Sequence, residues 1–266
     1  MHKVKERVAS ICRSTYFSLK RMSALTPGQG LSPNPEWKPG MPQPNPLGTK
    51  HISIDPGAES SVYQLLISSV LPRPVALVST VNSDGIGNLA PFSYFGLVSH
   101  DPPTLMLGIT TKAGKKKDTM NNIEQNGELV VNIVSEHIVE AASYCAGDFA
   151  PGVNEMEIVG LNPIPSEVVR APRVFESDVH YECRVTSTQD MFNDSGQHTT
   201  TVVIARILRV HVLEAILKGK GEGKNGGNNY RIDFPQYKPM GRLGGNTWAH
   251  LGETFDIERP KIDLND

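Results

Sequence analysis

Apolar residues occur along this chain in short runs and alternations, separated by turn-forming residues. Val75 to Val81 is an apolar, β-branched run that ends at the turn Asn82-Ser83-Asp84-Gly85, which predicts a strand followed by a hairpin turn. Asn88 to Val98 is expected to return as its partner strand, and Pro103 to Ile109 to form a third. Short strands at such intervals indicate a sheet built from neighbouring segments.

Three later segments continue this pattern. Leu129 to Val134 is an apolar run that predicts a buried strand. Between Val179 and Thr186, apolar and polar residues alternate with a period of two, so the segment is expected to be half buried, with His180 on its polar face. The residues from Thr199 to Leu213 predict a long strand.

Helices are predicted at three places between these strands. Ser60 to Val70 is expected to form a short helix that ends before Leu71-Pro72, because a residue that precedes proline disfavours the helical backbone. Thr119 to Asn126 predicts a second helix with Gly127 as its stop signal, and Glu136 to Cys145 a third.

The order of these elements predicts a mainly β fold with peripheral helices, a closed or split barrel and not a doubly wound sheet. Gly219 to Asn229 is expected to be a flexible loop, because it lacks the ending and the strand–turn–helix setting of a phosphate-binding loop. Prolines saturate the segment from Pro27 to Pro46, which predicts an extended linker or surface strap. We therefore expect an N-terminal extension over residues 1–50 and one folded domain over residues 51–266 with a C-terminal tail.

Composition excludes several classes of protein. The chain has 266 residues and a formal net charge of −2, which gives no support for nucleic-acid binding. No run approaches the roughly 18 apolar residues that cross a bilayer, so no membrane association is expected. Three scattered cysteines and eight histidines without ligand-like pairing predict no disulfide framework and no metal site, and they favour a reducing, cytoplasmic compartment.

Residues 1–25 differ from the rest of the chain. They carry six lysines and arginines, several hydroxyl residues and Glu6 as the acid, a composition typical of mitochondrial import segments. A disordered basic tail explains the same composition, and so does a chain whose true start is Met22.

The predicted helix after Lys117 carries the first candidate chemistry. Lys117 and Thr119 bring an ammonium group, a hydroxyl and free backbone amides together, and such groups bind a phosphate. Ser79 and Thr80, at the end of the first strand, add two hydroxyls. An ordinary helix cap with solvated lysines explains these residues too, and better on local evidence alone.

The segment from Asn88 to Tyr94 carries the second candidate chemistry. It mixes amide, hydroxyl and aromatic groups in a strand, which suits the polar edge and the flat face of an isoalloxazine ring. Pro91 predicts a bulge or a sheet edge, where backbone groups stay free for a ligand. An ordinary edge strand is an equal alternative. Catalytic dyads and nucleophile motifs are missing, and Cys145 is expected to be a buried, inert thiol.

Motifs in a fixed order decide between these alternatives. They are Pro72 to Thr80, Asn88 to Phe95, Lys117-Asp118-Thr119, Gly127 to Asn132, Glu182 to Val185 and Gly241 to Gly245. Over residues 55–260 this set resembles the flavin reductase-like, FMN-binding split-barrel family, particularly its flavoredoxin-type branch. Two positions depart from the branch: Met156 stands where an aromatic residue is common in the Glu-x-Glu tag, and Trp248 where a tyrosine is common.

The resemblance implies a Greek-key-like split β-barrel that forms a homodimer, with FMN bound at or near the subunit interface. It assigns the phosphate to Ser79, Thr80, Lys117 and Thr119. It assigns the isoalloxazine to Asn88, Ala90, Pro91, Phe92 and Ser93, with Asn132 and Arg242 as neighbours.

The function that the resemblance implies is an NAD(P)H-dependent flavin oxidoreductase. NADH or NADPH would pass a hydride to flavin N5, and the electrons would go to a free acceptor or to an oxygenase partner. A flavoredoxin-like electron carrier that a protein partner reduces is the first alternative. A flavin-binding module without reductase activity is the second.

Overall fold

The computed structural model describes residue 30 and residues 32–58, 61–222 and 228–260. The chain divides into two compact units, one formed by residues 1–59 and 251–266, the other by Ser60–His250. The described residues of the first unit form turns, bends and extended chain without a helix, as the proline-rich sequence predicts. The predicted import segment, residues 1–25, lies outside the described residues.

All regular elements of the described chain belong to the second unit. Its helices are α1 (Tyr63–Ser69), α2 (Asp118–Asn126), α3 (Val139–Tyr144), α4 (Glu155–Val159) and α5 (Phe234–Tyr237). Two 3₁₀ turns span Glu136–Ile138 and Glu214–Ile216. Its strands are β1 (Arg73–Pro74), β2 (Ala76–Val81), β3 (Gly87–Phe92), β4 (Phe95–His100), β5 (Pro103–Thr110), β6 (Glu128–Ile133), β7 (Pro163–Ile164), β8 (Arg173–Val174), β9 (Val179–Phe192), β10 (His198–Val212), β11 (Leu217–Glu222), β12 (Asn228–Ile232), β13 (Met240–Arg242) and β14 (Trp248–His250).

Seven antiparallel strands form the main sheet in the order β3-β2-β6-β9-β10-β5-β4. The two edge strands, β3 and β4, follow each other in the chain and are separated by Ser93 and Tyr94. In a flat sheet these edges would lie about 29 Å apart, whereas the link between them reaches about 11 Å at most. The sheet therefore curls until the end of β3 lies near the start of β4, and Gly108 N donates to Tyr94 O at 2.7 Å beside this link.

This curl corrects the prediction of one strand from Asn88 to Val98. The segment forms two strands that pair with different partners, β3 with β2 and β4 with β5. The link of Ser93 and Tyr94 contains no glycine or proline, so no local signal in the sequence marks the break. The prediction of a mainly β fold with peripheral helices is confirmed.

Two hydrophobic cores lie on the two faces of β2. Ala76 and Val78 face the barrel interior, which also contains Leu105 and Leu107 of β5. Leu77 faces the other way, into a second core that is built with residues of β3, α3 and α4. Burial on both faces explains why β2 is an uninterrupted apolar run in the sequence.

The face of β9 that carries His180 and Glu182, expected to be its polar face, is buried. Glu182 is fully buried and accepts hydrogen bonds from Glu167 N at 2.8 Å and Val168 N at 2.6 Å. His180 is also buried, and its Nε2 lies 2.8 Å from Val174 O. The period-two pattern predicted the strand correctly, but the segment at residues 167–174, just before β9 in the chain, folds back over this face.

Smaller differences concern the ends of elements. α1 and α2 lie where helices are predicted, and Gly127 ends α2 in the left-handed conformation, with φ of 69°. The third predicted helix begins as a 3₁₀ turn and continues as α3. Part of the expected loop from Gly219 to Asn229 instead pairs as β11 with β12, and residues 223–227 lie outside the described residues. No described helix combines the length and the apolar content that crossing a membrane requires.

Candidate functional site

The N-terminus of α2 opens without a side-chain cap. Lys117 occupies the N-cap position with extended backbone, φ −74° and ψ 157°, and its side chain makes no capping hydrogen bond. The carboxylate of Asp118 accepts from Gly152 N at 3.1 Å, and the hydroxyl of Thr119 accepts from Asn88 Nδ2 at 2.9 Å. The ordinary-cap explanation of these residues therefore does not hold, because both side chains are turned to other partners.

A buried polar network fixes the start of this helix to the sheet. Asn88 Nδ2 donates to Thr119 Oγ1 at 2.9 Å and lies 3.4 Å from Thr80 Oγ1, which also accepts from Asn122 Nδ2 at 3.0 Å. All four residues are buried, so each lost partner would leave a polar group unsatisfied in the interior. The network holds Asn88 and Thr119 in fixed positions.

A cavity of about 510 Å³ lies against this helix start. We call it the lysine cavity. Its walls are formed by Asn88, Ala90, residues 110–112, residues 115–119, residues 145–151 and Glu155. Lys112 forms an ion pair with Asp148 across two of these segments, and Lys116 forms one with Glu124. Backbone amides, a hydroxyl and ammonium groups thus surround one space.

The ammonium group of Lys117 stands 5.4 Å from the centre of the Phe92 ring. The residue as a whole is exposed, yet the protein around this group lowers the pKa of Lys117 by desolvation, with a further lowering by Lys112 and an opposing effect of Asp148. A neighbouring anion would restore the charged form, since opposite charges favour ionisation.

Strand β3 forms an edge beside both the helix and the cavity. Leu89 N points away from β2 and donates to the buried carboxylate of Glu155 at 2.8 Å. The backbone nitrogen of Pro91, two residues along, points the same way, away from β2. Proline fits there because no hydrogen bond to β2 is lost. The predicted edge is present, and the β2–β3 register runs without a bulge. Burial raises the pKa of the Glu155 carboxyl, and the Leu89 amide opposes that shift.

A second cavity, of about 430 Å³, adjoins the first, because Thr110 and Ala146 line both. We call it the arginine cavity. Its lining residues are Tyr63, Ile67, Arg73, Val75, residues 91–94, Gly108, Thr110, Ala146, Arg242, Gly245 and Trp248. The two cavities lie along one strand, since β3 supplies Asn88 and Ala90 to the first and Pro91 and Phe92 to the second.

Arg73 connects several segments around the arginine cavity. Its guanidinium donates to Val70 O at 3.3 Å and to Ile67 O, at the end of α1, and also to Leu243 O at 2.8 Å and Ser93 Oγ at 3.2 Å. One buried side chain thereby joins α1, the β3–β4 link and the segment after β13.

Arg242 stands at the side of the same cavity. Its guanidinium carbon lies 4.8 Å from the centre of the Trp248 ring, and one Nη2 donates to Gly245 O at 2.7 Å. This cation–π contact holds the guanidinium beside the indole. Burial and the charge of Arg73 lower the pKa of Arg242.

The structure brings most of the predicted site residues to these two cavities. Asn88, Ala90, Lys117 and Thr119 line the lysine cavity, and Pro91, Phe92, Ser93 and Arg242 line the arginine cavity. Thr80 lies behind the lining, within the polar network.

Ser79 and Asn132 line neither cavity. Asn132 is fully buried, donates to Leu77 O at 2.9 Å and Ser79 Oγ at 3.2 Å, and accepts from Val174 N at 2.9 Å. Ser79 donates in turn to Pro172 O. Both side chains are engaged on the face of β2 opposite to Thr80, where they tie the 172–174 segment to the sheet.

Several lining residues were not predicted from the sequence. They are mainly Tyr63, Arg73, Thr110, Lys112, Asp148, Phe149 and Glu155. The one local signal for them was the glycine and the proline in the loop Ala146 to Pro151, which indicate a turn. Cys145 lines the lysine cavity, where burial raises the pKa of its thiol to about 12, so it stays protonated and inert as expected. The described residues contain no group of side chains that could hold a metal ion.

Comparisons with known sequences agree on one family. A family profile described as "Flavin reductase like domain" matches residues 68–221. An uncharacterized protein of Halalkalibacterium halodurans is 35% identical over 204 residues, which cover 76% of this chain and 93% of the relative. A second uncharacterized protein, from Bacillus subtilis, is 34% identical over 209 residues, 79% of this chain and 98% of the relative.

Solved structures have the same fold. Nitrilotriacetate monooxygenase component B from Bacillus cereus is 34% identical, with a TM-score of 0.71, over 79% of this chain and 100% of that one. The 2-nitrobenzoate 2-nitroreductase of Pseudomonas fluorescens is 30% identical, with a TM-score of 0.64, over 81% and 98%. Flavoredoxin of Desulfovibrio vulgaris, at 21% identity and a TM-score of 0.57 over 81% and 100%, shares the split-barrel fold. The predicted fold class and family resemblance are confirmed.

Proposed function

Since the chain belongs to the flavin reductase-like family, we propose that it is an FMN-binding oxidoreductase that accepts a hydride from NADH or NADPH. Membership supports flavin-related oxidoreduction in general. The identity of the flavin, its donor and its contacts are the parts that we propose here.

The observation that carries the proposal is the uncapped start of α2, which opens into the lysine cavity. A phosphate fits there, because helix N-terminal amides and the helix dipole both favour an anion. Lys117 and Thr119 would hold the phosphate, with Asn88 orienting the Thr119 hydroxyl through their 2.9 Å hydrogen bond. A charged ligand would also stabilise the ammonium of Lys117, whose charged form burial disfavours.

The isoalloxazine ring would lie along β3, towards the arginine cavity. Small or flat residues stand there, Ala90, Pro91 and Ser93, and they let a planar ring approach the strand. Phe92 adds an aromatic wall next to the Lys117 ammonium. Arg242 would stand near the ring edge.

In this proposal Ser79, Thr80 and Asn132 do not contact FMN, and they support the residues that do. Thr80 accepts from both amides that set the position of Thr119 and its helix. Ser79 and Asn132 hold the opposite face of β2 and thereby the strand that pairs with β3.

When bound, FMN supplies the hydride-accepting chemistry itself, so no acid or base side chain is needed for that step. The tasks of this chain are to hold the phosphate, to orient the ring along β3 and to shape the space beside it for a second reactant. This accounts for the missing catalytic dyads in the sequence.

The partners are also proposed. A similar structure is named as a monooxygenase component B, which supports an oxygenase as the protein that receives electrons. We further propose a homodimer with FMN at or near its interface. A location inside the cell, in the cytoplasm or in mitochondria after import, fits the three scattered cysteines.

Anaerobic reduction tests the function. FMN-loaded protein is mixed with NADH or NADPH, and the flavin absorbance near 450 nm is followed. We expect bleaching within seconds to minutes, and dithionite defines full reduction. Bleaching by dithionite but by neither nucleotide would overturn the reductase and favour the electron-carrier alternative. Protein that binds no FMN would overturn the cofactor and favour a module without reductase activity.

A further inference from the structure

Two arginines face each other across a short ladder beside the arginine cavity. Arg73 of β1 and Arg242 of β13 are direct Cα partners in the antiparallel register. Like charges that stand opposite each other on paired strands destabilise a sheet. Such an arrangement needs compensation from nearby negative charge.

No carboxylate among the described residues supplies that charge. The lining of the arginine cavity contains no Asp or Glu. Neither arginine forms an ion pair with a described acidic residue, and the charges that act on Arg242 are those of Arg73 and Tyr63. Arg73 is compensated in part, because its guanidinium donates hydrogen bonds to the carbonyl oxygens of Ile67 and Val70 at the C-terminal end of α1.

Arg242 has no carboxylate partner among the described residues. Gly245 O takes one of its five N–H donors, and the guanidinium lies over the Trp248 ring. The in-plane fork that remains has the geometry that binds a carboxylate through two parallel hydrogen bonds. Arg242 is half-buried and Arg73 stands opposite it, so an anion at this fork would offset the repulsion between the two charges.

The walls of the cavity indicate the rest of the ligand. Phe92, Tyr94, Trp248 and Tyr63 supply aromatic surface, and the hydroxyls are those of Ser93, Thr110 and the two tyrosines. Aromatic walls beside a cation with free N–H donors suit a flat ring that carries a carboxylate.

We propose that the arginine cavity is the binding site for a compact aromatic carboxylate, a second ligand beside the flavin. This proposal depends on the proposed function only for the position of the flavin. FMN does not compensate Arg242, because its phosphate is assigned to the lysine cavity and its oxidised ring is neutral. The flavin ring along Pro91, Phe92 and Ser93 would cover one wall of the cavity, and the space beside Arg242 would stay open to an anionic aromatic substrate.

Benzoate is the probe, and tryptophan fluorescence is the signal. The chain has two tryptophans, so Trp37→Phe leaves Trp248 as the single reporter inside the cavity. FMN-loaded and FMN-free protein are titrated with benzoate, with uncharged benzamide and with ADP-ribose. We expect saturable quenching by benzoate, with at least tenfold weaker binding of benzamide and of ADP-ribose.

Two arginine variants then locate the site. Arg242→Gln should weaken benzoate binding at least tenfold, and Arg206→Gln, at an exposed arginine of β10, should change it less than twofold. Equal binding of benzoate and benzamide, equal effects of the two variants, or preference for ADP-ribose would overturn the proposal.

A parallel FMN titration by flavin fluorescence separates the two proposals. If FMN fails to bind but benzoate binding still depends on Arg242, the proposed cofactor is overturned and the carboxylate site stands. If the wild-type protein binds FMN and benzoate shows no saturation in any form, the carboxylate site alone is overturned.

Discussion

At the scale of single residues, the phosphate end of the site depends on which way two side chains point. Thr119 turns its hydroxyl to Asn88, and Asp118 turns its carboxylate to Gly152. The helix start is left with free amides beside the Lys117 ammonium, so local chemistry that resembled a cap becomes a receptor for an anion.

Removing both groups should reduce flavin affinity strongly. We expect Lys117→Ala combined with Thr119→Ala to weaken FMN binding at least about 100-fold, because hydrogen bonds to charged groups contribute about 1.5–3 kcal/mol each. Titration by flavin fluorescence quenching measures the change. Lys218→Ala combined with Thr188→Ala, at exposed positions of the same unit, is the control. Unchanged affinity in the Lys117/Thr119 variant would remove both residues from the site.

Residue direction also separates Ser79 from Thr80. Successive residues of a strand point to opposite faces, so two adjacent hydroxyls cannot both face one ligand. Thr80 shares the face of Val78 and reaches the polar network, whereas Ser79 shares the face of Leu77. Both hydroxyl residues are evident in the sequence, and the two-residue period of a strand is enough to predict that only one of them faces the site.

At the scale of elements, the long strands β9 and β10 hold a buried carboxylate. Glu182 accepts from two amides of the loop at residues 167–168 and from His211 Nε2 of β10 at 2.6 Å. Burial raises the pKa of Glu182, but these hydrogen bonds outweigh it, and the net pKa lies below the usual value. The charge therefore fastens the loop to the hairpin.

The sign of the pH effect follows from that lowered pKa. Glu182 stabilises the fold fully above its unfolded-state pKa, ordinarily near 4.3, and the stabilisation is lost as pH falls through the folded pKa. We expect Glu182→Gln to reduce the free energy of unfolding by about 2–4 kcal/mol at pH 6. Urea titrations at pH 6 and pH 3.5 should show that the difference from wild type shrinks in acid.

A matched variant tests whether burial is the cause. Glu214→Gln, at an exposed position in the 3₁₀ turn after β10, should change the free energy of unfolding by less than about 0.5 kcal/mol at both pH values. A difference for Glu182→Gln that stays constant between pH 6 and pH 3.5 would contradict the role given to the charge.

At the scale of the whole molecule, the two edges of the main sheet differ. The edge strand β3 is covered where Glu155 accepts from Leu89 N. The edge strand β4 has both central apolar side chains exposed, Leu97 at 72% and Val98 at 55%. Exposed apolar edge strands favour pairing with another chain. This edge is the surface that we assign to the proposed homodimer.

The dimer has a direct test. We expect the wild-type protein to have twice the 29.0 kDa chain mass by size exclusion with light scattering, and Leu97→Lys to have the single mass. Phe175→Lys, at a residue that is 65% exposed away from this edge, should stay dimeric. A wild-type monomer at micromolar concentration would contradict the proposal, and a Leu97→Lys dimer would move the interface elsewhere.

Much of this protein follows from its sequence alone. Hydrophobic periodicity is a local property, so β2, β5, β6 and the helix stop at Gly127 could be predicted from neighbouring residues. The order of the motifs determined the flavin reductase-like family, because short signals become specific when their sequence order is also matched.

Tertiary structure decided what depends on segments that are distant in the chain. The curl of the sheet divides Asn88 to Val98 into two edge strands, and His211 of β10 contributes to the hydrogen bonds of the buried Glu182. The pairing of β1 with β13 sets Arg73 opposite Arg242 beside one cavity. No local pattern contains such information, because burial and electrostatic neighbours are set by the packing of the whole chain.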